Sequence, residues 1–348
     1  MAPASLILDG IIFSLQPHGG ISVYFRQVLS RLARDHVAAS LTLHGSLMQE
    51  LPPAFSRLKI RHQPSRFLER YRKCDVPHEQ AIFHSSYYRR PSIRSTPTVV
   101  TVHDFTYERC LSGARRWVHS TQKFAAIRAA QAVICISHAT RDDLLELVGE
   151  TPGQSLHVIH NGVDEGFAPL QWVAPERDFV LFVGQRAGYK NFDLALRAMA
   201  HLPELELICV GGGKLRLDEM AHVPEPVRHR VRHRGFVDDA ELNRLYNQAV
   251  CLLYPSRYEG FGIPVIEAMR AGCPVVCIAC RAVLEVGRQA LLVVPEGDPA
   301  AVAAAVLAVS VPEPRAAQVQ AGLEVARDYS WEHTYQQTRA VYRSLGLP

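Results

Sequence analysis

The sequence predicts an α/β protein made of two doubly wound domains. Three observations predict it. Short apolar runs alternate with amphipathic stretches from end to end, the pattern of βαβ units and parallel sheets with helices on both faces. The periodicity lapses over 165–177 (EGFAPLQWVAPER), where two prolines mark a linker. The 348 residues, 48% of them hydrophobic, hold enough apolar mass for two cores at about 100–200 residues per domain. The expected first domain is 1–168, completed by a C-terminal helix at 330–348; the second is 177–329.

Strands are expected at SLILDGIIF, PTVVTVHD, AVICIS and LHVIHN in the first half, and at FVLFVG, LELICVG, VCLLYPS and PVVCIA in the second. Helices are expected at ISVYFRQVLSRLAR, RRWVHSTQKFAAIRAA, ATRDDLLELV, NFDLALRAMAHL and DAELNRLYNQA. Pro264 suits a helix first turn and Gly272 its end, which predicts a helix over 264–271 with Glu267 in the first turn. Asp298-Pro299 opens an Ala/Val-rich helix over 300–309, and Ser330 is the expected N-cap of a last helix to 345.

Net charge is +4 but uneven: residues 1–150 hold 19 Lys/Arg against 12 Asp/Glu, and the remainder 19 against 22. A basic N-terminal half suits acidic head groups or a phosphorylated substrate, and equally a solvated basic surface. No apolar run reaches the 18 residues of a spanning helix, and MAPASLILDGIIFSL reads as a strand rather than a signal peptide. The eight cysteines form no small-domain disulfide framework and suit a reducing cytosol.

Residues just after strands are where α/β proteins bind ligands. Gly19-Gly20 lets a backbone approach a ligand and leads into a helix N-terminus that attracts anions; a simple tight turn is the other reading. His103 ends the strand PTVVTVHD, a position from which a side chain reaches a cleft, although a lone histidine is more often structural. Arg186 and Lys190, with Asn191, bracket a glycine turn and suit phosphate, or else a solvated loop. Gly211-Gly212-Gly213 lacks the spacing of a dinucleotide fingerprint and reads as a flexible strand-to-helix turn. Cys273, Cys277 and Cys280 have an iron–sulfur spacing, but Cys277 falls inside a strand, which argues against a cluster. Glu259 and Glu267 flank the Gly260–Ile263 turn. Its amides at Phe261, Gly262 and Ile263 offer an anion site between two hydroxyl acceptors; the same residues also suit a capped surface helix with two solvated acids.

These residues stand within longer matches: GGISVYF (19–25), TVHDFTYE (101–108), ICISHATRDDL (134–144), VIHNGVD (158–164), VGQRAGYKN (183–191), RGFVDDAEL (234–242) and PSRYEGFGIPVIEAMRAGCPVV (255–276). In order and spacing the chain resembles retaining glycosyltransferases of family 4, of GT-B architecture. That architecture has two Rossmann-like domains facing a central cleft, with a C-terminal helix crossing back to the first domain. Glu259 and Glu267 match the family's E-x7-E motif. The resemblance implies that Glu267 holds the nucleotide's ribose and Glu259 the donor sugar. It implies that Arg186 and Lys190 neutralise the diphosphate and that amides at Gly20 and Phe261–Ile263 bind diphosphate and sugar. His103 would contact the sugar near its reacting carbon, and the loop with Phe236 and Val237 would take the base. No Asp-x-Asp metal motif appears, so no metal or other cofactor is expected.

The GYKNF variant resembles bacterial surface-polysaccharide (O-antigen, lipopolysaccharide) transferases, so the expected donor is GDP-mannose or a GDP-deoxyhexose, with UDP-sugars open. The expected acceptor is a saccharide or a lipid-linked saccharide, met by the first domain. Tyr87, Tyr88, Arg89 and Arg90 are its candidate contacts, although a plain surface loop is the likelier reading. Ser65–Glu79 reads as a basic amphipathic element facing a membrane, or as a solvated helix. A cytoplasmic enzyme at the inner face of the membrane is expected, with no nucleic-acid partner. The rivals are a sugar-nucleotide epimerase, a phosphorylase-like enzyme and a non-catalytic sugar-nucleotide binding module.

Overall fold

The computed structural model describes all residues except 1–4, 18, 46–50, 78–80, 172–177, 187 and 222. The end of the expected linker, 172–177, lies outside the described residues. The chain forms two compact units: Met1–Gly162 with Trp331–Pro348, and Val163–Ser330.

Unit 1 contains β1 (Ser5–Asp9), β2 (Ala39–His44), β3 (Lys59–Gln63), β4 (Ala81–Ser85), β5 (Thr98–Val102), β6 (Ala132–Cys135) and β7 (Ser155–Val158). They pair in the order β3-β2-β1-β4-β5-β6-β7, every pair parallel. Unit 2 contains β8 (Phe179–Val183), β9 (Glu206–Val210), β10 (Val231–Gly235), β11 (Leu252–Tyr254), β12 (Val275–Ile278) and β13 (Leu291–Val294). Their order is β10-β9-β8-β11-β12-β13, again all parallel. The fold class is the expected one. In each sheet the first strand lies inside and the order reverses beside it, the doubly wound arrangement that gathers ligands at strand carboxyl ends. The inner strands, such as TVVTV and FVLFV, are buried along nearly their whole length, as sheets covered on both faces require.

Some boundaries moved for local reasons. The first expected strand stops at Asp9, and Ile11–Leu15 is helical. Gly10 donates to the Thr42 carbonyl at 2.7 Å, so close that a Cβ there would lie 2.6 Å from that oxygen. The helix expected at 264–271 runs Ile263–Arg270 and closes as anticipated at Gly272, whose φ is 74°. Cys273 N–H then reaches the Ala268 carbonyl, a Schellman closure. The last helix, Trp331–Ser344, packs on unit 1. Glu332 accepts from Arg31 and Arg34, Tyr335 donates to Asp35, and the Tyr342 hydroxyl meets His84 at 2.6 Å.

Two readings of unit 1 are corrected. Tyr87–Arg90 is not a surface loop. Tyr87, Tyr88 and Arg89 are buried, and Arg90 alone is exposed. The Arg89 guanidinium donates to Asp9 (3.0 Å), to Glu69 (2.8 Å) and to the carbonyls of Arg72 and Lys73, and it lies 2.8 Å from His44 Nε2. Asp9, His44 and Cys74 have the proximity of a metal-ligand set. However, one Arg89 nitrogen is within hydrogen-bond reach of both Asp9 Oδ1 and His44 Nε2, so a cation already serves those two ligands. Burial raises the Asp9 carboxyl to about 6 despite Arg89, and burial together with Arg89 lowers His44 to about 4, keeping it neutral.

The stretch from Ser65 onward is not an amphipathic helix either. Leu68 adopts a left-handed conformation (φ 58°), and only a three-residue 3-10 turn follows. Glu69 turns inward and accepts both the Arg66 backbone N–H and its guanidinium, which closes the loop before a helix can propagate. The end of that stretch, 78–80, lies outside the described residues.

Replacing Arg89 would leave Asp9 and Glu69 buried without their shared cation. Arg89→Met is expected to destabilise the protein by about 3–5 kcal/mol in urea unfolding. A loss below about 1 kcal/mol would show that the cluster contributes little.

Candidate functional site

Unit 2 gathers polar groups at the carboxyl ends of β8, β9 and β11. Gly184, with φ 120°, lets the chain leave β8 in a direction closed to other residues. The 3-10 turn Gly188–Lys190 follows, and Asn191 begins the helix Phe192–Ala198 from a left-handed conformation. The loop after β11 is tied to that turn by the Arg257 N–H, which donates to the Tyr189 carbonyl at 2.8 Å. This tie brings Lys190 and Glu259 together: Nζ lies 2.5 Å from Glu259 Oε1 and 3.2 Å from the Tyr254 hydroxyl. Both side chains are only about one-eighth exposed, at 13% and 11%, so the pair is far less screened than a surface ion pair. Tyr254 itself is buried and its hydroxyl is held well above the ordinary tyrosine range.

Beside this pair the helix Ile263–Arg270 begins. Its N-cap is Gly262, left-handed at φ 104°, with no side-chain cap and no acid in the first turn. Glu267 sits one residue beyond the first turn, not within it as expected. It takes a hydrogen bond from the Tyr246 hydroxyl at 3.1 Å. Burial, with Asp239 and Asp164 nearby, raises its carboxyl to about 8 against the Tyr246 bond. The two motif acids therefore differ: Glu259 is salt-bridged, and Glu267 is a protonated acid near neutral pH. Asp164, Asp239, Tyr246 and Tyr254 were missed in the sequence. Nothing in their spacing marks them: Asp239 and Tyr246 share the helix Asp239–Gln248, while Asp164 and Tyr254 come from other parts of the chain.

Arg186 departs from expectation. Its side chain is 1% exposed. It donates to Glu219 and to the carbonyls of Gly211, Gly212, Gly213 and Lys214. All three glycines have φ between 72° and 79°, and a Cβ on Gly212 would lie 2.9 Å from Arg186 itself. The turn read as flexible is thus a carbonyl nest wrapped around one guanidinium, and Arg186 is not presented as a free anion-binding fork. Phe236, after β10, is 70% exposed, and Val237 half-buried beside it. Cys273, Cys277 and Cys280 are buried thiols; burial pushes the first two up to about 12. Among the described residues they form no group close enough to share a metal.

In unit 1, Gly19 is the N-cap of the helix Gly20–Arg34, which has neither a side-chain cap nor an acid in its first turn. The next turn carries Tyr24 and Phe25, whose rings pack on His103 at 5.2 and 6.4 Å. His103 is 6% exposed, and its Nε2 has no hydrogen-bond partner. Burial lowers it to about 4, so the ring is neutral. A buried neutral imidazole with an unpaired nitrogen is costly unless a ligand completes it.

Residues 18–167 match the family model Glycosyltransferase Family 4, and residues 177–310 match Glycosyl transferases group 1. O-antigen chain mannosyltransferase B of Escherichia coli is 26% identical, covering 96% of this chain and 100% of that protein. An uncharacterized glycosyltransferase of Methanocaldococcus jannaschii is 29% identical over 55% of this chain and 53% of its own length. Among solved structures, WaaG, a glycosyltransferase involved in lipopolysaccharide biosynthesis, superposes with TM-score 0.74 at 16% identity over 97% of this chain and 99% of its own. HepE of Anabaena in complex with UDP gives TM-score 0.74 at 16% identity over 98% and 100%.

The Glu267 shift carries a signed consequence. Its folded-state value near 8 lies above the ordinary glutamate value of 4.5, so the folded state holds the proton more tightly and stability falls as pH rises between the two. Glu267→Gln removes that penalty. It is expected to raise the unfolding free energy more at about pH 9 than at about pH 5, by on the order of 1 kcal/mol or more, read by urea unfolding at the two pH values. An equal gain at both pH values would contradict the assignment.

Proposed function

We infer the reaction from the family: the chain belongs to glycosyltransferase family 4, has the GT-B fold and is a glycosyltransferase. The proposed reaction moves a hexose from a nucleotide-diphosphate sugar to a saccharide or lipid-linked saccharide, in surface-polysaccharide synthesis. GDP-mannose or a GDP-deoxyhexose is the proposed donor. The name of the E. coli relative supports mannose. A UDP-sugar is the second reading, and the UDP in the HepE structure supports it.

The observation that carries this reading is the Lys190–Glu259 pair beside an uncapped helix N-terminus. Such a place is built for an anion and a hydroxyl together. In the proposed mechanism an entering diphosphate takes over the Lys190 ammonium, which frees a Glu259 oxygen to accept donor-sugar hydroxyls. One substrate then satisfies both halves of the broken pair. Amides of Phe261–Ile263 and the helix dipole share the charge that builds on the leaving phosphate. Glu267 binds the ribose hydroxyls, and Phe236 and Val237 bind the base. Arg186 acts by shaping the glycine turn of unit 2.

His103 Nε2 accepts or donates to the donor sugar, and amides at Gly20 bind the diphosphate. The acceptor oxygen attacks the anomeric carbon on the face the phosphate leaves, and that phosphate takes the acceptor proton. Configuration is retained with no covalent sugar on the enzyme and no metal. A glycosyl adduct on any carboxylate, seen by mass spectrometry with a slow donor analogue, would overturn this route.

Lys190→Ala is expected to lower kcat/KM by about 10²-fold or more, the size seen when one donor to a developing charge is lost. The measurement is nucleotide release from GDP-mannose with a saccharide acceptor. A change of less than about threefold would remove Lys190 from the site.

A further inference from the structure

We propose that Tyr88 and Lys123 are positioning residues for sugar transfer: they hold the backbone around His103 so that its imidazole meets the donor at a fixed place. This role rests on the reading of His103 as a contact of the donor sugar, and it supplies the groups that aim it.

The topology of unit 1 brings three distant segments together. β4 and β5 are adjacent and parallel, so the loops that leave them, 86–91 and 103–108, emerge side by side. The crossover from β5 to β6 runs through the helix Ala114–Ala129, which brings Lys123 against both loops. The Tyr88 hydroxyl accepts the backbone N–H of His103. The Lys123 ammonium donates to the carbonyl of Asp104, the next residue, and to Glu108 Oε2 at 2.9 Å. The same ammonium lies 3.8 Å from the centre of the Phe105 ring and 5.5 Å from that of Tyr88. Asp104 Oδ1 accepts the Thr106 N–H at 2.8 Å and turns the chain into the helix Thr106–Cys110. The backbone is thus tied on both sides of His103, while the Tyr24 ring packs on its imidazole at 5.2 Å.

Three features here would be avoided in a core built for stability alone. Tyr88 is left-handed at φ 57°, a conformation disfavoured for a bulky residue. Lys123 and its partner Glu108 are both buried, where apolar residues of similar volume would fill the space without desolvating two charges. The third is His103 Nε2, buried with no hydrogen-bond partner among the described residues. Backbone strain and buried charge gather where a geometry has to be held, and here they converge on one unsatisfied nitrogen.

Glu108 is itself anchored, since Ser120 donates to its Oε1 at 2.8 Å. The lysine is therefore held in place as firmly as the carbonyl it holds. Lys123 is wholly buried and Tyr88 nearly so. Neither reaches a substrate, so both act through His103.

The test is a set of mutant cycles on the full chain, with nucleotide release from GDP-mannose, and separately from UDP-glucose, as the rate. Tyr88→Phe removes one hydroxyl and keeps the buried ring. It should lower kcat by about tenfold while donor KM stays within about twofold, because most donor contacts on this reading lie in unit 2. Lys123→Met with Glu108→Gln, which leaves no unpaired buried charge, should do the same. In a His103→Ala background each loss should shrink to below about twofold, because the group they position is gone. Losses that persist undiminished there mark a merely structural role and overturn the proposal, as do parental rates in both variants. A second readout needs no substrate. In protein labelled with carbon-13 histidine, the His103 imidazole resonance, assigned by its absence in His103→Ala, should move in Tyr88→Phe. An unmoved resonance overturns the proposal even if neither donor turns over. A parental rate in His103→Ala itself would overturn the sugar-contact reading, and the positioning role with it.

Discussion

A wholly parallel sheet cannot return its chain by hairpins, so every strand in both units releases the chain at the same edge and recovers it through a crossover. This constraint decides where chemistry can be placed. In unit 1 the carboxyl edge receives Asp9, the 86–91 loop and His103. In unit 2 it receives the 184–191 turn, the glycine run at 211–213 and the 255–262 loop. Backbone groups at these edges have no neighbouring strand to bond, and polar side chains collect there to satisfy them. Arg186 gathering four carbonyls is the fullest example. Arg89, taking the carbonyls of Arg72 and Lys73, is its counterpart in unit 1.

The two arginines and Lys190 show why charge type alone does not assign a role. An arginine offers five donors in a rigid fork, and burying it is tolerable only when nearly all are used. Arg89 and Arg186 meet that condition through several carbonyls and acids, so each organises a loop. Lys190 makes two hydrogen bonds, to Glu259 and Tyr254, and remains partly exposed. Of the three it is the cation an entering anion could recruit at least cost, because it has the fewest partners to give up and is partly exposed.

Much of this was legible in the sequence. Continuous apolar runs such as FVLFV announce central strands, and the GFGIP turn announces a helix start next to an acid. Strands β3 (KIRHQ) and β10 (VRHRG) were not legible, because they are edge strands whose solvated faces dilute the apolar pattern. Strand β4 (AIFHS) was hidden by His84, buried between Thr101 and Tyr342 from distant parts of the chain. The E-x7-E spacing located Glu259 and Glu267 but could not separate their protonation. Burial, with Asp164 and Asp239 from distant parts of the chain, raises Glu267, and tertiary neighbours of that kind leave no local signal. Arg186 and Arg89 were misread for the same reason, since Glu219, Asp9 and Glu69 lie 20 to 80 residues away.

Titration calorimetry of the full chain with GDP-mannose, GDP and GMP, in excess EDTA, tests the exchange at Lys190 and Glu259 most directly. The diphosphates should bind the parent protein without added metal, and Lys190→Ala should weaken them by about tenfold or more while changing GMP far less. Equal weakening of mono- and diphosphate, or a diphosphate affinity indifferent to Lys190, would contradict it.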